Sequence, residues 1–177
     1  MRIIGGKWAG VSLVSPGPRV RPTQEEVRDS WISALESDLV GAKVLDLFSG
    51  TGALGLEALS RGAASVDFVE NGGPALHSLK ANLAKLKVKN RTRLFKKDVF
   101  LFLQAVTTPL YDLAFADPPY TSRSAERLIT LWREHPFCRI LSVEHAADRV
   151  LPPSGKCRVY GDSAVTIYRS QIPPRAP

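Results

Sequence analysis

The chain has 177 residues, long enough to bury a sizeable core without staples, and its 44% hydrophobic and 23% charged residues are those of a soluble globular protein. No apolar stretch approaches the roughly 20 residues of a membrane span and the amino terminus lacks the apolar block of a signal peptide, so a single cytoplasmic domain over 1–177 is expected. Lys and Arg total 24 against 17 Asp and Glu, a net charge of +7 that suits a polyanionic partner bound through salt-sensitive phosphate contacts.

Met1 to Pro18 alternates apolar and polar residues around Gly5-Gly6 and Gly10 and predicts a small β extension ahead of the main domain. Lys7, Arg19 and Arg21 make this segment basic and nominate it as part of a nucleic-acid surface; an edge hairpin that only covers the core is the alternative. Thr23 to Glu26 has the T-x-x-E pattern of a helix capping box, and Val27, Trp31, Ala34 and Leu35 then mark one helical face.

Val44, Leu45, Leu47 and Phe48 form a short apolar run ending in Ser49-Gly50-Thr51-Gly52, after which Leu54, Leu56 and Leu59 recur at helical spacing. This predicts a buried strand, a tight glycine turn and a helix, the frame in which a ligand can approach bare main chain. The spacing of Gly50, Gly52 and Gly55 also fits a dinucleotide fingerprint. Asp46 argues against that reading. A pyrophosphate sits badly beside a carboxylate here, whereas the ammonium and sulfonium of S-adenosyl-L-methionine are attracted to one; a solvated or capping aspartate at the strand end is the alternative. Glu70 closes the run from Ser65 to Val69, where an acid can accept hydrogen bonds from the ribose hydroxyls of either cofactor.

Pro74 opens a second helix, with Leu76, Leu79, Leu83 and Leu86 as its core stripe, Lys80, Lys85 and Lys87 facing away, and His77 exposed. Arg91 to Lys97 reads as a third strand, Asp98 as a helix N-cap, and Val99 to Val106 as a short helix. Leu113 to Ala116 then delivers Asp117-Pro118-Pro119-Tyr120 to the carboxyl edge of the sheet, the usual ligand crevice of open α/β folds. An exocyclic amino group on a base is a poor nucleophile. The Asp117 carboxylate and the Pro118 carbonyl can each accept one amino hydrogen, Pro119 stiffens the turn, and Tyr120 can stack on the base. Leu128 to Trp132 predicts a helix and Arg139 to Val143 a strand. Lys156 to Tyr160 and Ala164 to Arg169 predict a hairpin closed by Gly161-Asp162-Ser163, and 171–177 a proline-rich disordered tail. Cys138 and Cys157 lack metal-ligand spacing, so buried thiols are expected and no metal. Strands alternating with helices imply an α/β fold with a mostly parallel sheet covered on both faces.

With these motifs in place, the chain resembles the bacterial small-subunit ribosomal RNA (guanine-N2)-methyltransferases of the RsmD type, within the class I S-adenosylmethionine-dependent methyltransferases. The likeness begins at Arg2-Ile3-Ile4-Gly5-Gly6-Lys7 and continues through Arg21-Pro22-Thr23, Val27-Arg28, Leu45 to Ala63, Glu70 and Asp117 to Tyr120. It ends at Arg158-Val159-Tyr160-Gly161-Asp162. Many methyltransferases share the glycine turn and many amino-group methylases share D-P-P-Y, so the first and last of these motifs point to the family. Ala9 and Val11 stand where the family tends to carry arginines, and Trp31-Ile32 replaces a more usual Phe-Asn pair.

The resemblance implies the Rossmann-like class I strand order with an antiparallel final strand, and S-adenosylmethionine held at Asp46, Phe48, Ser49, Gly50, Gly52 and Glu70. Asp98 would meet the adenine amino group and the Val99 backbone its ring nitrogen. Asp117, Pro118, Pro119 and Tyr120 would be catalytic. Lys7, Arg19 and Arg21 would contact RNA, and the partner would be 16S ribosomal RNA or the small ribosomal subunit, met by a monomer. The residues alone also admit an N6-adenine methylase, a NAD(P)-binding oxidoreductase or a non-catalytic RNA-binding module.

Overall fold

The computed structural model describes residues 1–15, 25–108 and 110–173. Its helices are α1 (Glu25–Ser33), α2 (Glu36–Leu39), α3 (Ala53–Ser60), α4 (Gly73–Lys85), α5 (Val99–Gln104) and α6 (Ser124–Glu134). Its strands are β1 (Lys43–Leu47), β2 (Ser65–Glu70), β3 (Thr92–Lys96), β4 (Tyr111–Ala116), β5 (Cys138–Ala146), β6 (Lys156–Tyr160) and β7 (Ser163–Arg169). They form one sheet in the order β3-β2-β1-β4-β5-β7-β6, with β1 to β5 parallel and β7 antiparallel between β5 and β6. This is the expected α/β architecture with its antiparallel final hairpin.

Parallel strands are joined through helices, which bury both faces of the sheet. Alternation along each strand then assigns side chains to one face or the other. Val44, Val66, Phe68 and Phe115 pack with Trp31, Leu56 and Leu79 on one side. Leu45, Leu47, Val69 and Leu141 pack with Phe100, Leu128 and Trp132 on the other. The α4 stripe behaves as its spacing predicts: Leu76, Leu79 and Leu86 are buried while His77, Lys80, Lys85 and Lys87 are exposed. In α1, Trp31 is fully buried, its indole N–H donating to the Ser142 hydroxyl and its ring meeting Phe115 edge-on at 5.5 Å. The departure from the family's usual Phe-Asn pair at this point is thus a core anchor. The Thr23 capping box lies outside the described residues. The final hairpin is tighter than expected, since Tyr160 pairs with Ser163 and leaves a two-residue loop in which Gly161 has φ 59°. Of the tail, 174–177 lies outside the described residues.

Among the described residues, the amino-terminal β extension amounts to one antiparallel bridge, Arg2 to Ser12, because a 3₁₀ turn at Gly6–Trp8 interrupts the alternating run. Glu57 of α3, wholly buried, fixes this segment in place. Its carboxylate accepts the N–H groups of Ile4 at 2.8 Å and Gly5 at 2.7 Å and the Arg61 Nε at 3.0 Å, and the buried Arg28 guanidinium of α1 lies 3.9 Å away. Burial pushes the Arg28 guanidinium down, and Glu57 opposes that shift. Of the cysteines, Cys138 is buried as expected, but Cys157 is exposed on β6, whose outer position leaves it little cover. Among the described residues, no helix is long and apolar enough to cross a membrane, and no group of three or more His, Cys, Asp or Glu side chains could hold a metal ion.

Glu57→Ala removes an acceptor from two backbone N–H groups and leaves the Arg28 cation buried without its counter-charge. It should destabilise the protein by about 3–5 kcal/mol in denaturant unfolding. A loss below about 1 kcal/mol would contradict the anchoring role.

Candidate active site

Registration of β1 with its neighbours brings three strand ends level. Leu47 pairs with Val69 of β2 and with Ala116 of β4, so Phe48, Glu70 and Asp117 leave the sheet side by side. At this point the chain order along the sheet reverses, and the connections from adjacent strands diverge to leave a crevice.

Phe48 leaves β1 with φ 56°, a left-handed conformation costing a residue with a Cβ about 1–2 kcal/mol, and its ring packs edge-on against Phe100 at 6.3 Å. The Ser49 N–H and hydroxyl both donate to the Val69 carbonyl, at 3.2 and 3.3 Å, and the Gly52 N–H closes the turn on the Ser49 carbonyl at 2.7 Å. Gly52 has φ 80°, and a Cβ there would stand 2.4 Å from Leu79 Cδ1. A Cβ on Gly55 would come within 2.5 Å of the Phe68 ring, so this third glycine lets α3 lie directly on β2.

Asp46 shares the α3 face of β1 and is almost wholly buried; its Oδ2 accepts the Gly55 N–H at 2.9 Å. Its contact is therefore the capping one that the sequence left as an alternative. Burial pushes its carboxyl well above the usual range, the Gly55 N–H opposes this, and the nearby carboxylates of Asp117 and Glu70 push it further up. Such a site gains from a bound positive charge, which relieves the crowding of acids. Glu70 joins two turns: Oε2 accepts the Gly50 N–H at 2.7 Å, while Oε1 accepts those of Asn71 at 3.0 Å and Gly72 at 2.7 Å. At the end of β3, Asp98 Oδ1 caps α5 by accepting from the N–H groups of Phe100 at 2.9 Å and Leu101 at 3.1 Å. Val99 follows at the first helical position, where the backbone N–H has no partner within the helix.

The Asp117-Pro118-Pro119-Tyr120 turn follows β4 directly, with Pro118 buried and Pro119 exposed. The Tyr120 hydroxyl donates to Glu144 Oε1 at 2.8 Å and lies 2.7 Å from the Ser163 hydroxyl, so the phenol is tethered to β5 and β7. Burial pushes this hydroxyl up to about 12, with Glu144 and Asp117 adding to the rise against the Ser163 bond. It stays neutral at physiological pH. The turn's backbone is clamped from the β5–β6 connection. Arg149 donates to the carbonyls of Tyr120 at 2.8 Å and Ser122 at 2.7 Å, and to both Glu126 oxygens, at 3.0 and 3.1 Å.

Glu144, Ser163 and Arg149 did not emerge from the sequence. Glu144 carried a signal, a carboxylate within the apolar run of β5; Arg149 carried none. Of the expected RNA contacts, the structure describes Lys7 alone, and it lies away from the crevice. Trp8, next to Lys7, donates its N–H to the Ser60 hydroxyl at the far end of α3 from the glycine turn, roughly 12 Å along the helix. Arg19 and Arg21 lie outside the described residues.

Arg149→Ala should raise amide hydrogen exchange in the turn over 119–124, with Arg149→Lys restoring only part of the protection because an ammonium cannot span both carbonyls. Unchanged exchange in the alanine variant would dismiss the clamp. The Tyr120 hydroxyl's folded value lies above its ordinary 10, so the stability its bonds contribute is full below about pH 10 and lost as pH rises through about 12. Stability measured against pH should accordingly fall across that window by less in Tyr120→Phe than in the wild type.

Comparison with known proteins places these features. The model of a family described as conserved hypothetical protein 95 matches residues 1–167. The ribosomal RNA small subunit methyltransferase D of Escherichia coli is 37% identical over 156 residues, covering 86% of this chain and 78% of that protein. Among solved structures, the Escherichia coli protein yhhF superposes with a TM-score of 0.82 at 34% identity, covering 96% of this chain and 97% of its own. A protein from Thermus thermophilus gives 0.85 at 29%, covering 96% and 99%.

Proposed function

The chain belongs to the RsmD-type family of small-subunit ribosomal RNA methyltransferases, and from that premise we propose that it methylates the exocyclic N2 of a guanine in small-subunit ribosomal RNA. Its coarser activity, methylation of ribosomal RNA with S-adenosylmethionine as donor, is the family's. The observation that supports methylation of an amino group is the Asp117 to Tyr120 turn standing beside the glycine turn at paired strand ends, and the choice of guanine over adenine rests on the family likeness at Arg2 to Lys7 and Arg158 to Asp162.

The residues present suit the donor. An added Cβ on Gly50 would meet nothing nearer than 4.0 Å, which leaves a bare stretch of backbone, and three carboxylates nearby favour a cation. S-adenosylmethionine supplies, when bound, an electrophilic methyl group on a cationic sulfur. Glu70 shares its remaining lone pairs with the ribose hydroxyls while keeping Gly50 in place. Asp98 and the Val99 N–H receive the adenine edge, and Asp46, Phe48, Ser49, Gly50 and Gly52 shape the rest of the pocket. The Asp117 carboxylate and the Pro118 carbonyl each accept one hydrogen of the guanine amino group, which turns the nitrogen lone pair away from them and toward the donor. Pro119 keeps the turn stiff, and the tethered Tyr120 ring stacks on the unstacked guanine. The methylated nitrogen is acidic and loses its proton without a strong base. The same reading makes the protein a cytoplasmic, monomeric single-domain enzyme whose partner is small-subunit ribosomal RNA or the subunit itself, with Lys7, Arg19 and Arg21 as basic contacts.

Asp117→Ala should lower kcat by about a hundredfold or more while S-adenosylhomocysteine affinity, measured by calorimetry, stays near wild type. Glu70→Ala should weaken that affinity by about tenfold or more, since both the ribose and the Gly50 bond are lost. Near-native turnover in the first variant would rule out the catalytic turn.

The modified atom is read by mass spectrometry of nucleosides from digested substrate RNA. N2-methylguanosine should appear and N6-methyladenosine should not. The adenine product would overturn the assignment of guanine and leave the donor pocket standing.

A further inference from the structure

The Arg158 to Asp162 segment has no part in the chemistry above, yet it forms one wall of a groove. The opposite wall is α1. A cleft of about 390 Å³ lies between Glu26 and Ser30 on the helix and Tyr160, Asp162 and Ser163 on the hairpin. Ser30 and Tyr160 also line a wider, more open extension of about 810 Å³, which reaches Ser33 and Arg158. The two volumes therefore adjoin. Their inner end touches the catalytic turn, because the Ser163 hydroxyl is the group 2.7 Å from the Tyr120 hydroxyl.

The groove is graded in charge. Glu26 and Asp162 stand at the inner end, where carboxylates repel phosphate but accept hydrogen bonds from base N–H groups. At the outer end Arg158 is exposed on β6, beside Val159, which is 62% exposed, and Tyr160, half-buried, lines both ends. Running outward, a nucleotide presents the N–H and carbonyl edge of its base, the planar face and then the phosphate, in the same order as the groove's groups. We propose that this groove binds the nucleotide adjoining the target guanine, its base against Tyr160 and toward Asp162, its phosphate at Arg158. This rests on the proposed methylation of RNA and adds a strand path to it: the acceptor RNA crosses between α1 and the β6–β7 hairpin before the guanine turns into the pocket.

The test measures methylation of a small-subunit ribosomal RNA transcript and of small ribosomal subunits by Arg158→Ala, Arg158→Lys and Tyr160→Ala, alongside S-adenosylhomocysteine binding. Arg158→Ala should raise the RNA KM severalfold and flatten the salt dependence of RNA affinity by about 0.7 in log–log slope, the share of one single-strand phosphate, with Arg158→Lys near wild type. Tyr160→Ala should raise KM by about tenfold through lost stacking, with donor-product affinity unchanged. Arg158 lies on the surface, so its variants report even if Tyr160→Ala does not fold. Wild-type KM and salt slope in both Arg158 variants, with methylation intact, would remove the groove and leave the proposed function standing. A wild-type protein that binds S-adenosylhomocysteine but methylates neither RNA would overturn both.

Discussion

Parallel pairing of β1 with β2 on one side and β4 on the other is the constraint from which the site follows. Backbone hydrogen bonds on both edges of β1 fix its register, and a slip by one residue would turn Asp46 away from α3 and put Leu45 and Leu47 on the wrong face. The register also sets the height at which three turns begin. Phe48, Glu70 and Asp117 come from distant parts of the chain, but their spacing is imposed by strand geometry. Chemistry that needs a donor pocket and an acceptor pocket at one edge is placed on the most rigid part of the molecule, and the irregular segments only complete it.

Those irregular segments are held by a recurring device. A buried or half-buried polar side chain on a regular element reaches out and bonds the main chain of a loop. Glu57 does so for Ile4 and Gly5, Asn82 of α4 for Val14 and Thr51, and Glu70 for Gly50 and Gly72. Arg149 does the same for Tyr120 and Ser122, reaching from a connection instead of from a regular element. Loops cannot satisfy their own backbone groups by repetition, so each such bond both meets an unsatisfied group and selects one conformation. Asn82 is informative here, since it ties the glycine turn to the amino-terminal segment through one amide.

The parts of this arrangement written in local patterns could be read from the sequence. Period-two and period-3.6 runs gave β1, α3, α4 and β4, and the Gly50 to Gly55 and Asp117 to Tyr120 turns announced themselves by composition. The pairings across long separations could not be read. Arg28 with Glu57, Tyr120 with Glu144 and Ser163, and Arg149 with the turn join residues between 24 and 43 positions apart, and no periodicity links them. The alternating amino-terminal run looked like strand because alternation reports which side chains face inward, and it says nothing of the 3₁₀ turn that a glycine pair permits. Ser163, assigned to a turn, belongs to β7 because a two-residue loop suffices once Gly161 takes the left-handed conformation. Arg19, Arg21 and Thr23 lie outside the described residues, and the structure adds nothing to their sequence reading.

The two cysteines differ in a way that makes the molecule chemically addressable. Burial pushes the Cys138 thiol well up and seals it in β5, whereas Cys157 stands exposed on the outermost strand, between Lys156 and Arg158. Thiolate is the reacting form and access decides which thiol meets a reagent, so a maleimide dye or nitroxide will attach at one position of the native protein without any engineered change. Successive side chains of a strand point to opposite faces, which sets the label behind Arg158 and not in front of it. The hairpin thereby carries a built-in attachment point from which its distance to other parts of an assembly can be measured by fluorescence or electron spin.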